Sequence, residues 1–565
     1  MDVFPALIAM VAPLLASGFI ALSGSSLGER VATIGVRALF VSVIAAGITL
    51  YQTTQLEPLR LMLRSVPEPL APTILVDRLA AVMMVLITGV SLVIHVYSRR
   101  YMKSDQGFVR FLGSLSLLTF VLLVLVTSGH LIWLFLAWHG VTWLLRSLLA
   151  FNRTSPAARQ AGRTTLRVQG LGDAALLGAI VMVYSAFGTF DLTTLFAKIQ
   201  DGTPLPVFGK GTWWEIQAVT AITSAMILSV MTKSAQFPFH IWLPGTIEAP
   251  TPVSAMLHAG IVNAGGFLVN RLAPLYGSSP TALYILFVVG ALTALIGAST
   301  MLTQSSIKRT LVYSTMGQMG YMVMECGLGA FALAIFHLCA HGLFKATLFL
   351  NSGSHIHKAR TEFKLPEAHQ AASATGFALM PWATGLGITL VLPLVILLMA
   401  HGAVNIPLFE TQSTMIFLFF AWVTSAQAIF SLYRLNAVAS WKISATMVAA
   451  IAFIGLTYLW AGESFTHFLY PTPGQAVAYF QAASWHQGLF DAVILLSTLM
   501  VVAVWVVLYG NAHGVSLLLP RRFEELHTRL YVAFLNCLYV EDVLRALSPF
   551  KQRRLASPRP STSLP

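Results

Sequence analysis

Charge is what this sequence has least of. Asp, Glu, Lys and Arg make up 10% of its 565 residues, 56% are hydrophobic, and the mean hydropathy is +0.76. An ordinary soluble protein carries about 25% charged residues, so the shortage excludes a solvated globular domain of any size. Cysteine is nearly missing too. Cys326, Cys339 and Cys537 stand alone, with no CxxC and no even framework, so neither a thiolate metal site nor a disulfide scaffold is encoded. Also absent are a Cys/His/Cys zinc constellation and a glycine-rich phosphate loop, and with them the common marks of a self-sufficient enzyme. The first apolar run follows Met1 and Asp2 without a basic leader or a small-residue cleavage site, and it reads as a retained helix rather than a cleaved signal.

What the chain has instead, from end to end, is apolar runs of about 20 residues, the length that crosses a bilayer as a helix. They lie near 3–23, 31–51, 76–97, 111–128, 130–150, 168–188, 214–235, 251–275, 281–304, 310–328, 329–354, 376–401, 414–436, 443–461 and 489–509. Lipid offers the backbone no other partner than itself. The expected fold class is therefore all-α, a polytopic membrane protein of about 15 transmembrane helices.

Lys and Arg in short loops favour the cytoplasm, and here they separate by parity. One side takes Arg30, Arg37, Arg99, Arg100, Lys103, Arg110, Arg153, Arg159, Arg163, Arg167, Lys308, Arg309, Lys358, Arg360, Lys364 and the basic C-terminus. The other takes Arg60, Arg64, Arg271 and a mixed loop at 189–213. The N-terminus is expected outside and the C-terminus in the cytoplasm, as in a bacterial inner membrane. This bias accounts for the net charge of +13 without a nucleic-acid partner.

Ionisable residues inside apolar spans carry the functional signal, because each costs at least about 2.5 kcal/mol at a helix centre unless it faces protein or water. The chain keeps Asp173 in the sixth span, Lys233 in the seventh, His258 in the eighth, Glu325 at the end of the tenth, and His337, His341 and Lys345 in the eleventh. The last three recur every four residues in FHLCAHGLFKATLFL, a ridge on one helix face. A single buried histidine is ordinarily a satisfied core residue; three polar residues in register suit a hydrated path. A lysine whose carboxylate partner can approach and retreat binds and releases protons, and Arg167 with Asp173 is a candidate switchable pair for Lys233. The His337/His341 spacing would also suit zinc, but no third ligand accompanies it, and no metal or other cofactor is expected.

In TKSAQFPFHIWLPGTIEAPTPVSAMLHAG, residues 232–260, Pro238 and Pro244 break an otherwise apolar span. The seventh helix is expected to be discontinuous, exposing backbone beside Lys233 as transporters do near mid-membrane sites. Pro393 in LVLPLVILLMA marks a second expected break, in the twelfth helix, as two inverted repeats would give. The expected organisation is N-terminal helices at 1–110, repeats at 111–275 and 281–437, C-terminal helices at 438–510 and an amphipathic cytoplasmic tail at 511–565.

At these residues the sequence resembles the antiporter-like proton-translocating subunits shared by respiratory complex I and Mrp-type cation/proton antiporters. The segment just quoted, HGLFKATLFLNSGS, SIKRTLVYSTMGQMGYM and the RxxxLGD run ending at Asp173 carry the resemblance over roughly residues 75–440. It implies that Lys233 is the central protonatable lysine, with His258, His337, His341 and Lys345 continuing the path. Two departures stand out. The family's WEG triplet reads WHG, which puts His139 in the acid's place, and the twelfth helix lacks the usual terminal lysine or glutamate. After the last span about 55 residues remain, room for at most a ~40 Å helix, too short for the long lateral helix of the respiratory subunit.

The compact DabB-like membrane subunits of two-component inorganic-carbon transporters are the better likeness, through LLRSLLAFNRTSPAARQAGRTTLRVQGLGD. That resemblance implies a peripheral cytoplasmic DabA-like subunit, similar to a zinc carbonic anhydrase, driven by protons or sodium through this chain. The respiratory or Mrp-type role is the alternative. The amphipathic RRFEELHTRLYVAFLNCLYVEDVLRAL is a candidate docking surface.

Overall fold

The computed structural model describes residues 3–62, 70–201, 203–213 and 215–361, with stretches of 460–502 and 521–542. Pro393 and the spans expected at 376–401, 414–436, 443–461 and 489–509 lie wholly or largely outside the described residues, so the first of the two expected repeats is described but for residues 202 and 214, and the second chiefly as far as residue 361.

Among the described residues nine helical segments are long and apolar enough to cross a bilayer. They begin with α1 (Val3–Leu27), α2 (Val31–Gln55), α3 (Arg78–Tyr101), α4 (Phe108–Thr127), α5 (Leu131–Leu149) and α6 (Pro156–Phe187). After the short α7 (Leu192–Gln200) comes α8 (Ala218–Lys233), then the paired segments α9 (Thr251–Ala259) and α10 (Ala264–Arg271), and the short α11 (Ala273–Gly277). Next are α12 (Pro280–Thr303), α13 (Ile307–Gly327) and α14 (Phe331–Thr361). Neighbouring helices pack as α1 with α2 and α4, α5 with α6, α6 with α8, α9 with α14, and α12 with α13. The last pair meets backbone to backbone: a Cβ on Gly290 or Gly320 would overlap the main chain of the facing helix, the small-residue contact that membrane helices use.

Three expectations are corrected. α6 starts at Pro156 rather than near 168, so Arg159, Arg163 and Arg167 ride on helix, not loop. Ser155 caps the Ala158 N–H and Pro156 takes the first turn, a start signal that hydropathy cannot see. The eighth span is not continuous either, since a 3-10 turn at Ile261–Asn263 separates α9 from α10 after Gly260. The seventh span is discontinuous as expected, but its helix ends at Lys233, five residues before Pro238. Ala235 turns into the left-handed region at φ 49°, the Phe237–Pro238 bond is cis, and 3-10 turns at Phe239–Trp242 and Pro244–Glu248 lead to α9.

Loops on the face that the charge bias reads as external add two small antiparallel hairpins, Leu59–Met62 with Thr73–Val76 and Val207–Phe208 with Ile216–Gln217. The first is bridged to Ser128, and His130 to Asp191. Arg60 pairs with Asp191 at 3.0 Å, and Arg271 with Asp77 at 2.6 Å. On the opposite face, the amphipathic helix Arg521–Leu535 rests against α12, and Tyr313 hydrogen-bonds Cys537 just beyond it.

Candidate functional site

Lys233 is the last residue of α8 and only 1% exposed. Helices leave their final carbonyls without partners, and here Trp242 Nε1, returning from the break, donates to Thr232 O at 2.9 Å. The neighbouring α6 comes close because a Cβ on Gly172 would overlap Thr232 Oγ1. Residues 138 and 142 of α5 and 169 and 173 of α6 then surround the ammonium, each pair at i, i+4 spacing.

The ammonium donates to Thr142 Oγ1 at 2.6 Å, to Trp138 O at 3.1 Å and to Gln169 Oε1 at 3.4 Å. It also lies 4.7 Å from the centroid of the Trp138 ring, within cation–π range. Asp173 Oδ1 is 3.6 Å from Lys233 Nζ, an ion pair just beyond direct hydrogen bonding. Asp173 Oδ2 accepts from Thr142 Oγ1 at 3.0 Å and pairs with His139 Nδ1 at 2.8 Å. His139 Nε2 accepts from Trp143 Nε1 at 2.7 Å, which leaves the proton on Nδ1 facing the carboxylate. One carboxylate thus stands between two bases, with a hydroxyl bridging it to the lysine. His139 remains 41% exposed at the flank of the bundle. Arg167 is not part of this cluster: it sits on an exposed face of α6, six residues before Asp173, whereas residues sharing a helix face lie three or four apart.

Beyond Lys233 the two breaks meet. Ser234 Oγ donates to Val262 O at 2.7 Å and accepts from Gly265 N–H at 3.1 Å, so one hydroxyl fills the gap between α9 and α10. Past it lie His258, stacked on Phe349 with ring centroids 4.3 Å apart, and the α14 ridge of His337, His341 and Lys345. Lys345 Nζ donates to Ser314 Oγ at 2.8 Å and to Leu311 O at 3.4 Å. His337 and His341 have ring centroids 6.2 Å apart, and His337 Nδ1 meets Glu325 at 3.1 Å.

Between the two lysines, Gln169 Nε2, Asn263 Oδ1, and both ring nitrogens of His258 and of His341 are buried without a hydrogen-bond partner among the described residues. Buried polar atoms are almost always satisfied by protein or water, so these positions call for a file of water. No group of three His, Cys, Asp or Glu side chains gathers as a metal site among the described residues. The sequence reading passed over Thr142, Gln169, Ser234, Asn263, Ser314 and Gln318. Only Thr142, three residues after His139, and Gln169, four before Asp173, had a positional signal.

A buried lysine beside a carboxylate at a helix break, followed by a second buried lysine, describes a membrane subunit built to pass cations. The chain belongs to the family of NADH:quinone oxidoreductase and Mrp antiporter membrane subunits. Residues 128–371 match the family described as "NADH:quinone oxidoreductase/Mrp antiporter, TM", and residues 69–112 match "NADH-Ubiquinone oxidoreductase (complex I), chain 5 N-terminus". More particularly, the chain is similar to the "Probable inorganic carbon transporter subunit DabB1" of Halothiobacillus neapolitanus, 40% identical over 540 residues, 94% of each chain. It is also 40% identical over 290 residues to "NADH-ubiquinone oxidoreductase chain 5" of Dictyostelium citrinum, covering 51% of this chain but 43% of that one. In fold it is similar to a chain of the Mrp complex from Dietzia sp., with TM-score 0.57 and 22% identity over 96% of this chain and 60% of that one. It is likewise similar to a chain of an archaeal membrane-bound sulfane sulfur reductase, with TM-score 0.56 and 17% identity over 90% and 97% of the two chains.

Proposed function

We propose that this chain is the proton-conducting membrane subunit of an energy-coupled inorganic-carbon uptake complex. The observation that carries the reading is the hydrogen-bonded cluster of Lys233, Thr142, Asp173 and His139, together with the buried polar atoms of Asp173, Gln169, His258 and His341 that have no partner among the described residues. Lys233 holds a proton while the carboxylate is near. Drawing Asp173 toward His139 weakens that hold, and the proton passes along the hydrated polar atoms toward Lys345. A path of lysine, histidine and hydroxyl groups suits protons better than sodium, which takes oxygen ligands.

The carbon-uptake role is supported by the likeness to the inorganic carbon transporter subunit over 94% of both chains. In this reading the chain performs no chemistry on carbon itself. A peripheral cytoplasmic partner of carbonic-anhydrase type hydrates CO2, and proton flow through this subunit makes the hydration one-way. The basic face is cytoplasmic, in a bacterial inner membrane, and the N-terminus lies outside.

The test is complementation of a carbonic-anhydrase-deficient host at ambient CO2. Lys233→Ala and His341→Ala are expected to abolish rescue while the complex still copurifies; undiminished carbon uptake by Lys233→Ala would sink the proposal. The alternative, a respiratory or Mrp-type assembly, has the 40% identity to a complex I chain behind it. Copurification separates the two, since a single large zinc-containing partner supports carbon uptake and several flavin or iron–sulfur subunits support respiration.

A further inference from the structure

The path as described reaches Lys345 in the middle of the bundle, and something must carry it to water on the external side. Glu325 lies two residues from the end of α13 and His337 in the second turn of α14, both at the end read as external. At 1.5 Å per residue, His337 stands roughly 12 Å nearer that end than Lys345 on the same helix face. Glu325 is 5% exposed, and both of its carboxylate oxygens are 3.1 Å from His337 Nδ1. His337 Nε2 faces Gln318 Oε1 at 2.9 Å. The Nδ1 edge of the ring thus faces the carboxylate, and the Nε2 edge is held by the Gln318 amide.

Polar groups continue outward from this pair. Cys326, next to Glu325, accepts from Asn270 Nδ2 at 3.7 Å. Arg271 follows Asn270 and pairs with Asp77, whose side chain is 31% exposed. Asn270 Oδ1, Arg271 Nε and Tyr276 Oη are buried without a partner among the described residues, so this end too calls for water. Over the same end lies a roof. Tyr479, in the helix Gln475–Ala482, packs on Phe331 at 5.1 Å and touches Gly329, where a Cβ would overlap its carbonyl; Phe465 meets Phe336 at 5.9 Å.

We propose that Glu325 and His337 form the external proton site of this chain, through which protons enter or leave by way of the Asn270–Arg271–Asp77 cluster beneath that roof. The site holds one proton between imidazole and carboxylate. A proton moves from His337 Nδ1 to a Glu325 oxygen, the carboxyl releases it outward, and the neutral imidazole, again facing a carboxylate, takes the next one by way of water from the side of His341. This inference rests on the proton-conducting reading above.

The experiment uses the whole complex in liposomes with a pH dye inside, driving flux from either side. Glu325→Gln is expected to slow proton flux at least tenfold and to remove its dependence on external-side pH. Glu325→Asp should keep most of the flux, and Lys233→Ala should lose it. Wild-type flux in Glu325→Gln alongside loss in Lys233→Ala would overturn this site and leave the wider reading standing. No flux from the unaltered complex would overturn both. Should Glu325→Gln fail to assemble, infrared difference spectra of the unaltered complex decide. A protonated-carboxyl band that follows external pH and shifts frequency in Glu325→Asp supports the site, and a carboxyl spectrum indifferent to external pH refutes it.

Discussion

Thr142 has one hydroxyl hydrogen and two charged neighbours. It accepts from Lys233 at 2.6 Å and gives its hydrogen to Asp173 at 3.0 Å, so the ion pair communicates through it rather than directly. Thr142→Val keeps the shape and removes the bridge; proton flux is expected to fall at least tenfold with assembly intact, while Thr142→Ser stays within about twofold, both read in the liposome assay. The loss corresponds to about 1.4 kcal/mol for a tenfold change, of the order of one hydrogen bond to a charged group. His139→Ala should also slow flux, because Asp173 would lose its second base and close on Lys233. At this scale the charges were legible and the hydroxyls were not. A lysine inside an apolar span is conspicuous, but serines and threonines are ordinary there, and only the fold says that Thr142 rather than Thr119 or Thr223 stands at the lysine. The same blindness let Arg167 into the expected site, since sequence shows that it is near Asp173 but not that it turns away.

The elements that matter most are the ones that stop. α8 ends at Lys233, and α9 gives way to α10 after Gly260. The first break was legible from Pro238 and Pro244; the second, in HAGIVNAGG, carries no proline and is made by Asn263 folding back to Ala259 O while Ser234 serves Val262 and Gly265. Close approach of α6 to α8 at Gly172 sets the depth of the lysine. Gly172→Leu is expected to destabilise the bundle by about 1–3 kcal/mol through overpacking, seen as a lowered melting temperature in detergent, and to stop conduction.

The external loops have a pH limit of their own. Burial works against ionisation of Asp191, but hydrogen bonds from Thr193 and Thr194 and the charge of Arg60 outweigh it and hold its carboxyl below the ordinary range. A carboxyl lowered in the folded state stabilises it above the unfolded value of about 3.9 and ceases to do so as pH falls through the folded value. Hydrogen exchange in 128–131 and 189–195 is therefore expected to rise below about pH 4, and Asp191→Asn should show the faster exchange already at neutral pH.

For the whole molecule, the class was legible from composition alone, because a chain with so few charges has nowhere to fold but lipid. The proposed path's two halves were legible as separate motifs; that they join was not, since the join is made by contacts between residues as far apart as Ser234 and Val262. The orientation can be checked from outside the cell. Trp213 is 97% exposed in the loop read as external, and Ser104 lies in the basic loop opposite. Trp213→Cys in whole cells should react with a membrane-impermeant maleimide and Ser104→Cys should not; the reverse pattern would invert the topology. Ser234 has a further consequence at this scale. Because its single hydroxyl closes both helix breaks, parting the helices there forfeits two hydrogen bonds at once, about 1–3 kcal/mol together. A half-parted arrangement would cost nearly as much as a fully parted one while gaining less water. If the chain conducts protons as proposed, such a joint would act as an interlock, sparing a membrane that stores its energy as a gradient the slow short circuit of a loosely hinged conductor.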